Sequence, residues 1–569
     1  MRDRIRTITG EIIFPMILLL LPMAGYNLGT DISDTTYSLG NYMYLNTLGA
    51  EWKYATFIAN ITGRFLLTAA GGRMMVMNAL SSLIISATAL IVYYGFRKRI
   101  SSAVLFICEA VAISLCWCPQ VILYNYLTYL LLTLGAYLIY KAIVADRYIY
   151  SLLAGVCLGI NMFVRIANAI EVILIVVLWY GICITGEKGK IMAKQVRHTL
   201  NAICGFLAGA GASVLIMIIS GGASGIHDMM SWVLKLLSSD GEAGGYSMGA
   251  MLRNIVINYI GNSYWVLFML VGMGLGLAGF AILKGRFVLL KKFGYTACVA
   301  ILFVYFFRNG IFTTEYYNTG AIFRLSVIAM YFMYIICIYA LFSNIYEKEE
   351  KLLALMSIML LLITPIGSNN HLFTIINNMF IVLPVSASLM LTFLKHYNGS
   401  AVIFPVKCMM AVFGGVFLFQ SLLFGFEYVF MDSEKGESRD CTIECDCNMK
   451  GMHTNAANKA AIEGLVTYLD ETADKKLLLY GNVPGVCYVT NRSCAIATTW
   501  PDLESYGNES FAEDIEGLKE YPVIVIGAKV YNDMEDSDGI KEQLLIEYMS
   551  DNNYYEAYAN DGFVVLERE

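Results

Sequence analysis

Two aspartates stand three residues apart just after the first apolar run of the chain. They are Asp31 and Asp34, in a stretch that reads GTDISDTTYSLGNY from Gly29. If this stretch is helical, their side chains share a face, because residues three apart are neighbours on a helix. A carboxylate here could act as a general base toward a hydroxyl group. An aspartate at this position is equally an ordinary solvated residue or the N-cap of a helix.

Three arginines lie near the ends of apolar runs, where an unpaired charge is costly. They are Arg165, Arg308 and Arg324. A guanidinium binds phosphate well through paired hydrogen bonds, so these residues are candidates for a phosphate site. Contact with lipid headgroups, or pairing with Glu171 or Glu315, would explain the same positions.

An amide-rich connection, GSNNHLFTIINN at residues 367–378, is the third candidate. Asn369, Asn370 and His371 offer donors and acceptors that suit sugar hydroxyls, although such segments also form ordinary turns. His371 has no Cys, His or carboxylate set around it in the sequence, so no metal site is predicted. The glycines at 481 and 485 lack the spacing of a nucleotide-binding loop, and no nucleic-acid-binding signature is present.

The composition assigns most of the chain to a membrane. Of 569 residues, 58% are hydrophobic and 15% charged, whereas soluble domains are about 45–50% apolar and about 25% charged. The formal net charge of −6 is unevenly divided, because residues 431–569 hold 28 acidic and 11 basic side chains. Residues 1–430 are therefore predicted to form a membrane domain, and residues 431–569 a soluble domain.

Thirteen apolar runs are candidate membrane spans. A span needs about 20 residues, since each adds about 1.5 Å against a hydrocarbon core of about 30 Å. The first run, Ile12–Ala24, lacks a small-residue cleavage site and is predicted to be a retained signal anchor. The fold class is thus a polytopic α-helical membrane protein with a C-terminal α/β domain. The predicted spans centre on Leu19, Ser86, Val111, Leu132, Gly155, Ile175, Gly211, Gly272, Ile301, Phe332, Met359, Ser386 and Val412.

Basic residues cluster in alternate connections between these spans, which predicts a cytoplasmic N-terminus and an external C-terminal domain. The first external loop would then cover residues 26–73. The connections predicted to be cytoplasmic hold Arg2, Arg4, Arg6, Arg97, Lys98, Arg99, Lys141, Arg147, Lys188, Lys190, Lys194, Arg197, Lys284, Arg286, Lys291, Lys292, Lys348, Lys351 and Lys395.

Two further patterns predict local structure outside the spans. Between His227 and Ser239, apolar residues recur at helical spacing opposite polar ones, which predicts a helix lying in the membrane interface. The tail alternates helical and strand patterns, which predicts a small α/β layer domain. Its predicted helices are 455–473, 511–520 and 539–550, and its predicted strands are 476–480, 522–527 and 563–567.

Together these features resemble the GT-C superfamily, which includes protein mannosyltransferases, aminoarabinose transferases and oligosaccharyltransferases. The Asp34–Tyr37 pair is similar to the D-E-x-x-Y loop of the mannosyl- and aminoarabinosyltransferase branch, although Thr35 replaces the usual Glu. Arg165 and Asn168, after LLAGVCLGINMFV, are similar to an Arg and an Asn in the middle of bacterial members. The tail segments LLLYGNVPGVCYVTNRSCAIATTW and PVIVIG resemble external domains attached to such proteins.

The resemblance implies a glycosyltransferase of the plasma membrane and cell envelope. It would transfer a hexosyl or pentosyl unit from a polyprenyl-phosphate donor to an extracytoplasmic glycan, lipid or protein. Asp31 or Asp34 would be its base, and Arg165, or Arg308 with Arg324, would bind the donor phosphate. The implied sugar or acceptor contacts are Tyr37, Asn168, Asn369, Asn370 and His371.

The resemblance implies no nucleic-acid partner and no certain cofactor, and it leaves a divalent cation open because members of the superfamily differ in metal use. Two other classes share the same outline. One is a polytopic lipid or solute transporter or flippase, and the other is an envelope glycan polymerase or ligase.

Overall fold

Apolar helices make up most of the chain in a computed structural model. It describes residues 7–187, 189–238, 248–282, 287–368, 370–432, 435–472, 475–503 and 505–569. Of the positions named above, those outside the described residues are Arg2, Arg4, Arg6, Lys188, Ser239, Lys284, Arg286 and Asn369.

The helices before the tail begin with α1 (Phe14–Leu20), which is continuous with a π turn (Thr9–Ile13) and a 3-10 turn (Leu21–Met23). The first loop contains α2 (Asp34–Met43), α3 (Ala50–Tyr54) and α4 (Phe57–Ala69). The helices that follow are α5 (Met74–Phe96), α6 (Ser102–Ser114), α7 (Leu123–Val144), α8 (Tyr148–Val164), α9 (Ile175–Thr185), α10 (Ile191–Ser238), α11 (Met248–Ile282), α12 (Val288–Arg308), α13 (Gly320–Phe342), α14 (Lys348–Ile363), α15 (Phe373–Ile376), α16 (Val382–His396) and α17 (Phe404–Glu427).

Eight helical segments among the described residues are long and apolar enough to cross a membrane. Many large apolar side chains on them face outward, such as Leu289 at 83% exposure, as expected where lipid replaces water. The chain is thus a multi-pass helical membrane protein, as predicted. All thirteen predicted centres lie in helices, but several of those helices are shorter than 18 residues, so the number of spans stays a prediction.

Charged side chains of four predicted cytoplasmic connections meet at one end of the helix bundle. Arg97 pairs with Glu11 at 2.5 Å, and Arg99 pairs with Glu349. The Tyr140 hydroxyl donates to Glu349 at 3.0 Å. In two further connections, Lys194 pairs with Asp146 at 2.6 Å. The described basic connections thus lie on the same side, as predicted, and which side faces the cytoplasm stays a prediction.

The segment predicted as an interfacial helix at His227–Ser239 is helical over its described residues, but it is not a separate helix. Its described residues continue α10, which runs unbroken over 48 residues and therefore spans about 72 Å at 1.5 Å per residue. No proline interrupts the sequence between the two parts, and a glycine costs a helix only about 1 kcal/mol. The glycines here also allow close packing, since a Cβ on Gly225 would lie 2.5 Å from the hydroxyl of Tyr54 in the first loop.

The tail forms a small α/β domain, as predicted. Its strands β3 (Leu477–Tyr480) and β4 (Val523–Gly527) are parallel, and β6 (Phe563–Arg568) pairs antiparallel with both β4 and β5 (Tyr554–Ala559) in the order β3-β4-β6-β5. A two-stranded sheet, β1 (Cys441–Thr442) with β2 (His453–Thr454), precedes it. The tail helices are α18 (Ala456–Glu471), α19 (Val486–Val489), α20 (Asn508–Glu516), α21 (Ala528–Asp533) and α22 (Ile540–Asp551).

All six predicted tail elements are confirmed to within a few residues, but β5 was missed. Its sequence YYEAYA lies at the sheet edge and is partly exposed along its length, so it lacks the apolar alternation of a half-buried strand.

A seam of four glycines holds α8 against α10. Gly155 and Gly159 on α8 face α10, and Gly205 and Gly209 on α10 face α8. A Cβ at any of them would come closer than 3.0 Å to a backbone oxygen of the other helix. Spacing of four residues on both helices is the small-residue pattern that lets helix backbones approach closely in membranes.

We expect Gly205→Ala to lower the stability of the protein, because its new Cβ would force α8 and α10 apart. Overpacking of this kind costs about 1–3 kcal/mol. The matched control is Gly211→Ala on the same helix, where no neighbouring atom lies within 4 Å of the added Cβ. The thermal unfolding midpoint of the detergent-solubilised protein should fall for Gly205→Ala and not for Gly211→Ala. Equal midpoints for the two variants would contradict close glycine packing between α8 and α10.

Candidate functional site

The first loop is joined to the tail by a buried carboxylate, Asp432. It accepts hydrogen bonds from the Thr30 backbone N–H at 2.7 Å, the Thr454 hydroxyl at 2.9 Å and the Asn458 amide at 3.0 Å. Burial raises the pKa of Asp432, and these donors oppose the rise. The network fixes the start of the loop on the tail across about 400 residues of sequence.

A second contact presses the tail directly onto α2. The backbone N–H of Gly485 donates to the Ile32 carbonyl at 2.9 Å. A Cβ at Gly485 would clash with the Thr36 side chain, so the approach requires glycine. The Tyr488 hydroxyl donates to the Gly72 carbonyl at 2.7 Å. The tail therefore packs directly on α2, the helix that carries Asp34. The predicted division of the chain at residue 430 stays a prediction.

Asp31 caps the start of α2. Its carboxylate accepts from the backbone N–H groups of Ser33 and Thr35, both at 2.8 Å, and from the Ser33 hydroxyl. The side chain is only 6% exposed. With three donors at the N-terminal end of a helix, the carboxylate satisfies backbone groups that would otherwise lack partners. Asp31 thus has a structural task at the start of α2, although the N-cap position itself is held by Ser33.

Asp34 lies in a different environment three residues later. It is partly buried at the first position of α2. Within the part of the chain that the structure describes, no donor or cation pairs with its carboxylate. Burial raises the pKa of Asp34 from 3.8 to about 6, and the negative charge of Asp31 adds to the rise. At neutral pH the group is therefore an ionised acceptor without a partner, the state that a general base requires.

The Asp34 carboxylate and the Arg165 guanidinium face a common neighbour. The phenol of Tyr124, at the start of α7, lies within electrostatic reach of both groups. Arg165 occupies a break in the chain, with extended backbone angles (φ −157°, ψ 125°) between α8 and the 3-10 segment Ile166–Leu174. Non-helical backbone at membrane depth is usual where it lines a cavity or is buried in protein. Tyr124 was not anticipated from the sequence.

The amide-rich connection packs onto the same region. Arg165 donates to the Gly367 carbonyl, and the Asn377 side chain accepts from the Trp117 backbone N–H at 2.9 Å. The indole of Trp117 donates to the Phe373 carbonyl, also at 2.9 Å. These contacts place Trp117 and the connection beside the start of α7. Nothing in the sequence singled out Trp117 except that it is an aromatic residue between two predicted spans.

The other predicted positions in this connection have distinct surroundings. His371 has a positive φ of 45°, and its buried Nδ1 has no partner among the described residues. Burial lowers the pKa of His371, so the ring is neutral at physiological pH. Asn370 is exposed, and its backbone groups form the turn that leads to α15.

Three further predicted residues lie apart from Asp34. The Asn168 amide is occupied, because it donates to the Thr128 hydroxyl at 2.7 Å and to the Asn161 carbonyl at 3.0 Å. Arg308 ends α12 and is exposed. Arg324, also exposed, donates to the Asn309 carbonyl at 3.3 Å. The two arginines flank one connection, and neither pairs with Glu315 or Glu171 within the described chain.

A cavity of about 180 Å³ lies between α2 and the ends of the neighbouring helices. Asp31 and Thr35 line it from α2, and Trp117, Cys118 and Gln120 line it from the α6–α7 connection. Asp34 itself is not among the lining residues, although Cys118 lies within electrostatic reach of it. Polar groups beside aromatic faces are the surface that binds a hydroxyl-rich ring.

Tyr37 lies one turn after Asp34 on α2. Its ring packs edge-on against Trp500 of the tail, with centroids 5.1 Å apart, and against Trp52 of the loop at 6.4 Å. No group of three or more potential metal ligands occurs among the described side chains.

No family model and no curated protein matches the chain. Among solved structures, it is similar to ArnT from Cupriavidus metallidurans bound to undecaprenyl phosphate, at 10% identity over 98% of each chain and a TM-score of 0.43. The apo state of ArnT gives 10% identity over 100% of this chain and 98% of that one, with a TM-score of 0.42. Arabinosyltransferase EmbB from Mycobacterium smegmatis gives 11% identity, a TM-score of 0.32, and coverage of 71% of this chain and 42% of its own. Because these TM-scores lie below 0.5, the function proposed below rests on the chain's own residues.

We expect opposite stability effects at the two aspartates. Asp31→Ala removes the cap of α2 and should cost about 1 kcal/mol. Asp34→Asn removes a desolvated charge, so it should leave stability unchanged or increase it at pH 7.

Because burial raises the Asp34 pKa, this carboxyl favours the folded state at low pH and loses that contribution as pH rises from about 4 to about 6. Thermal midpoints across this range should decline more steeply in the wild type than in Asp34→Asn; parallel curves would contradict the assignment.

Proposed function

We propose that the chain is a GT-C-like membrane glycosyltransferase that moves a sugar from a polyprenyl-phosphate donor to an extracytoplasmic hydroxyl acceptor, with Asp34 as general base. The observation that carries the proposal is the state of that carboxylate, which is partly buried and has no partner among the described residues, with a pKa raised to about 6. The matching sequence feature is the Asp34–Tyr37 pair after the first span. Asp31, whose oxygens already accept three hydrogen bonds, is assigned the cap and not the chemistry.

In the proposed reaction Asp34 accepts the proton of the acceptor hydroxyl as its oxygen bonds to the anomeric carbon of the donor sugar. The bond from that carbon to the phosphate oxygen breaks, and polyprenyl phosphate leaves with the electron pair. The family resemblance implies inversion at the anomeric carbon. No nucleotide is needed, because the lipid phosphate is the leaving group.

Arg165 is the proposed partner of the donor phosphate. It shares Tyr124 as a neighbour with Asp34, and only a backbone carbonyl is bonded to it in the described structure. A guanidinium with free N–H groups can neutralise the charge that builds on the leaving phosphate. Arg308 and Arg324 are both exposed and form a second candidate pair, which would bind the donor phosphate before it reaches the site.

The proposed topology places the site on the outer face of the plasma membrane. The first loop and the tail lie at the end of the bundle opposite the Arg97–Glu11 and Arg99–Glu349 pairs. If the basic end is cytoplasmic, both face outward. The acceptor is then a glycan, lipid or protein of the envelope.

A transporter or flippase is the alternative class. Glu109, at 0% exposure in α6 and without a partner among described residues, is the one observation that favours it, since buried acids can mark ion pathways. A transporter would not need the unpaired carboxylate at Asp34. Movement of labelled lipid across vesicle membranes without sugar transfer would favour a transporter or flippase. The other alternative is an envelope polymerase or ligase, and such an enzyme would keep its turnover in an Asp34 variant.

We expect Asp34→Asn to reduce transfer by at least about 100-fold, the lower range of general acid–base effects. Asp31→Asn should retain most of the activity, because asparagine keeps one of the two oxygens that accept hydrogen bonds at the start of α2. The assay would follow release of polyprenyl phosphate from a panel of polyprenyl-phosphate sugars, with full-length purified protein and an envelope extract as the source of acceptors. Full turnover by Asp34→Asn would remove the central assignment.

We expect kcat/KM to fall as pH drops through about 6, because a protonated Asp34 cannot accept the hydroxyl proton. Asp31→Asn removes the negative charge that raises the Asp34 pKa, so the acid limb should shift to lower pH. Asp446→Asn is the control, since Asp446 is a tail carboxylate whose side chain is 92% exposed. An acid limb that does not move in Asp31→Asn would argue that another group titrates.

A further inference from the structure

An aromatic surface lies at the junction of the first loop and the tail, one turn along α2 from Asp34. Its members are Tyr37, Trp52 and Trp500, each partly exposed. Tyr37 meets both tryptophan rings edge-on, and Trp52 packs beside the buried Tyr506 at 6.4 Å. A purely structural contact would bury these rings, whereas here three large rings remain partly open to solvent beside the proposed base.

The position of Trp500 is fixed by polar contacts within the tail. Its side chain hydrogen-bonds the carboxylate of Asp502, which also accepts from the Asn482 backbone N–H at 2.7 Å. The Trp500 backbone N–H donates to the Thr498 hydroxyl at 3.1 Å. A ring held in this way is preorganised, so little side-chain freedom is lost when a ligand stacks on it.

Two polar atoms beside this surface are buried without hydrogen-bond partners in the described chain. They are the indole Nε1 of Trp52 and the hydroxyl of Thr499, a residue only 1% exposed. A buried group without a partner costs about 1–3 kcal/mol, so such groups deserve an explanation. A hydroxyl-bearing ligand, or water carried with it, would supply the missing partners.

The distances suit a single sugar ring. One turn of α2 is about 5.4 Å, and the Tyr37 and Trp500 centroids are 5.1 Å apart. A ring resting on Trp500 and Tyr37 would therefore present its hydroxyls toward Asp34. Aromatic faces pair with the apolar C–H face of a sugar, while the indole N–H and hydroxyl groups serve its rim.

We infer that the tail completes the acceptor side of the site, with Trp500, Tyr37 and Trp52 forming a stacking surface for one sugar ring of a glycan or glycolipid acceptor. This inference rests on the proposed function and narrows its acceptor to a molecule that carries a sugar. Trp500 is a specificity-determining residue in this scheme, and Asp502 is a positioning residue that acts through it.

The test is saturation-transfer NMR on full-length protein in detergent, with the methyl glycosides of glucose, galactose, mannose and arabinofuranose as probes. We expect at least one glycoside to give a signal in the wild type. Trp500→Leu, which keeps apolar volume but removes the ring, should weaken that signal about five- to tenfold, and Trp500→Phe should largely retain it. Trp179→Ala is the matched control, because Trp179 is an exposed tryptophan on α9.

An absence of signal for all four glycosides in the wild type would overturn the inference. An equal signal in the wild type and Trp500→Leu, with unchanged thermal midpoints, would do the same. Asp34→Asn separates this test from that of the function, since it should abolish transfer but keep glycoside binding. Retained transfer in Asp34→Asn would refute the catalytic proposal alone. If Asp34→Asn is inactive but the wild type binds none of the glycosides, only the stacking surface is refuted.

Discussion

The three hydrogen bonds that Asp31 accepts at the start of α2 are the contact on which the site depends. A helix of ten residues is too short to be stable alone in water, so its first turn needs both a cap and tertiary support. The cap sets the direction of α2, and that direction places Asp34 and Tyr37 on a common face. The negative charge of Asp31 also contributes to the raised pKa of Asp34. Asp31 thus supports the helix, while the Asp34 carboxylate has no partner among the described residues.

Support for α2 comes from the tail, and this explains why a carboxylate without a partner can persist there. Gly485 allows backbone contact with the loop at Ile32, and the Asp432 network anchors Thr30. Burial removes water from Asp34, and the loss of hydration raises its pKa more than the nearby negative charge does. The loop and the tail therefore act electrostatically as one unit, although they are far apart in the chain. The shared apolar cluster, which includes Leu39 and Tyr488, has the same effect on packing.

Much of this architecture followed from local pattern, and the rest depended on contacts that no local pattern records. Apolar runs of about 20 residues and the strand-like runs of the tail are set by burial, so their positions were predictable. The continuous α10 was not, because its amphipathic end at His227 is typical of a separate surface helix and only packing on Tyr54 distinguishes the two. The spacing of Asp31 and Asp34 identified the pair. Which of them supports the helix and which is left as the proposed base depends on which carboxylate accepts from the Ser33 and Thr35 N–H groups. The contact of Trp500 with Tyr37 could not be predicted either, because the two residues are more than 400 positions apart in the sequence.

The bond between Thr30 and Asp432 has a consequence for biogenesis. The first loop emerges early in synthesis, yet the groups that hold it in place come from the last quarter of the sequence. During insertion of all the intervening helices, α2 lacks its supporting surface and Asp34 is exposed to water, with an acidity close to that of a free side chain. The contacts of Thr30 with Asp432 therefore form only after the last quarter of the chain has been made. A chain truncated before residue 432 would lack this anchor for the first loop.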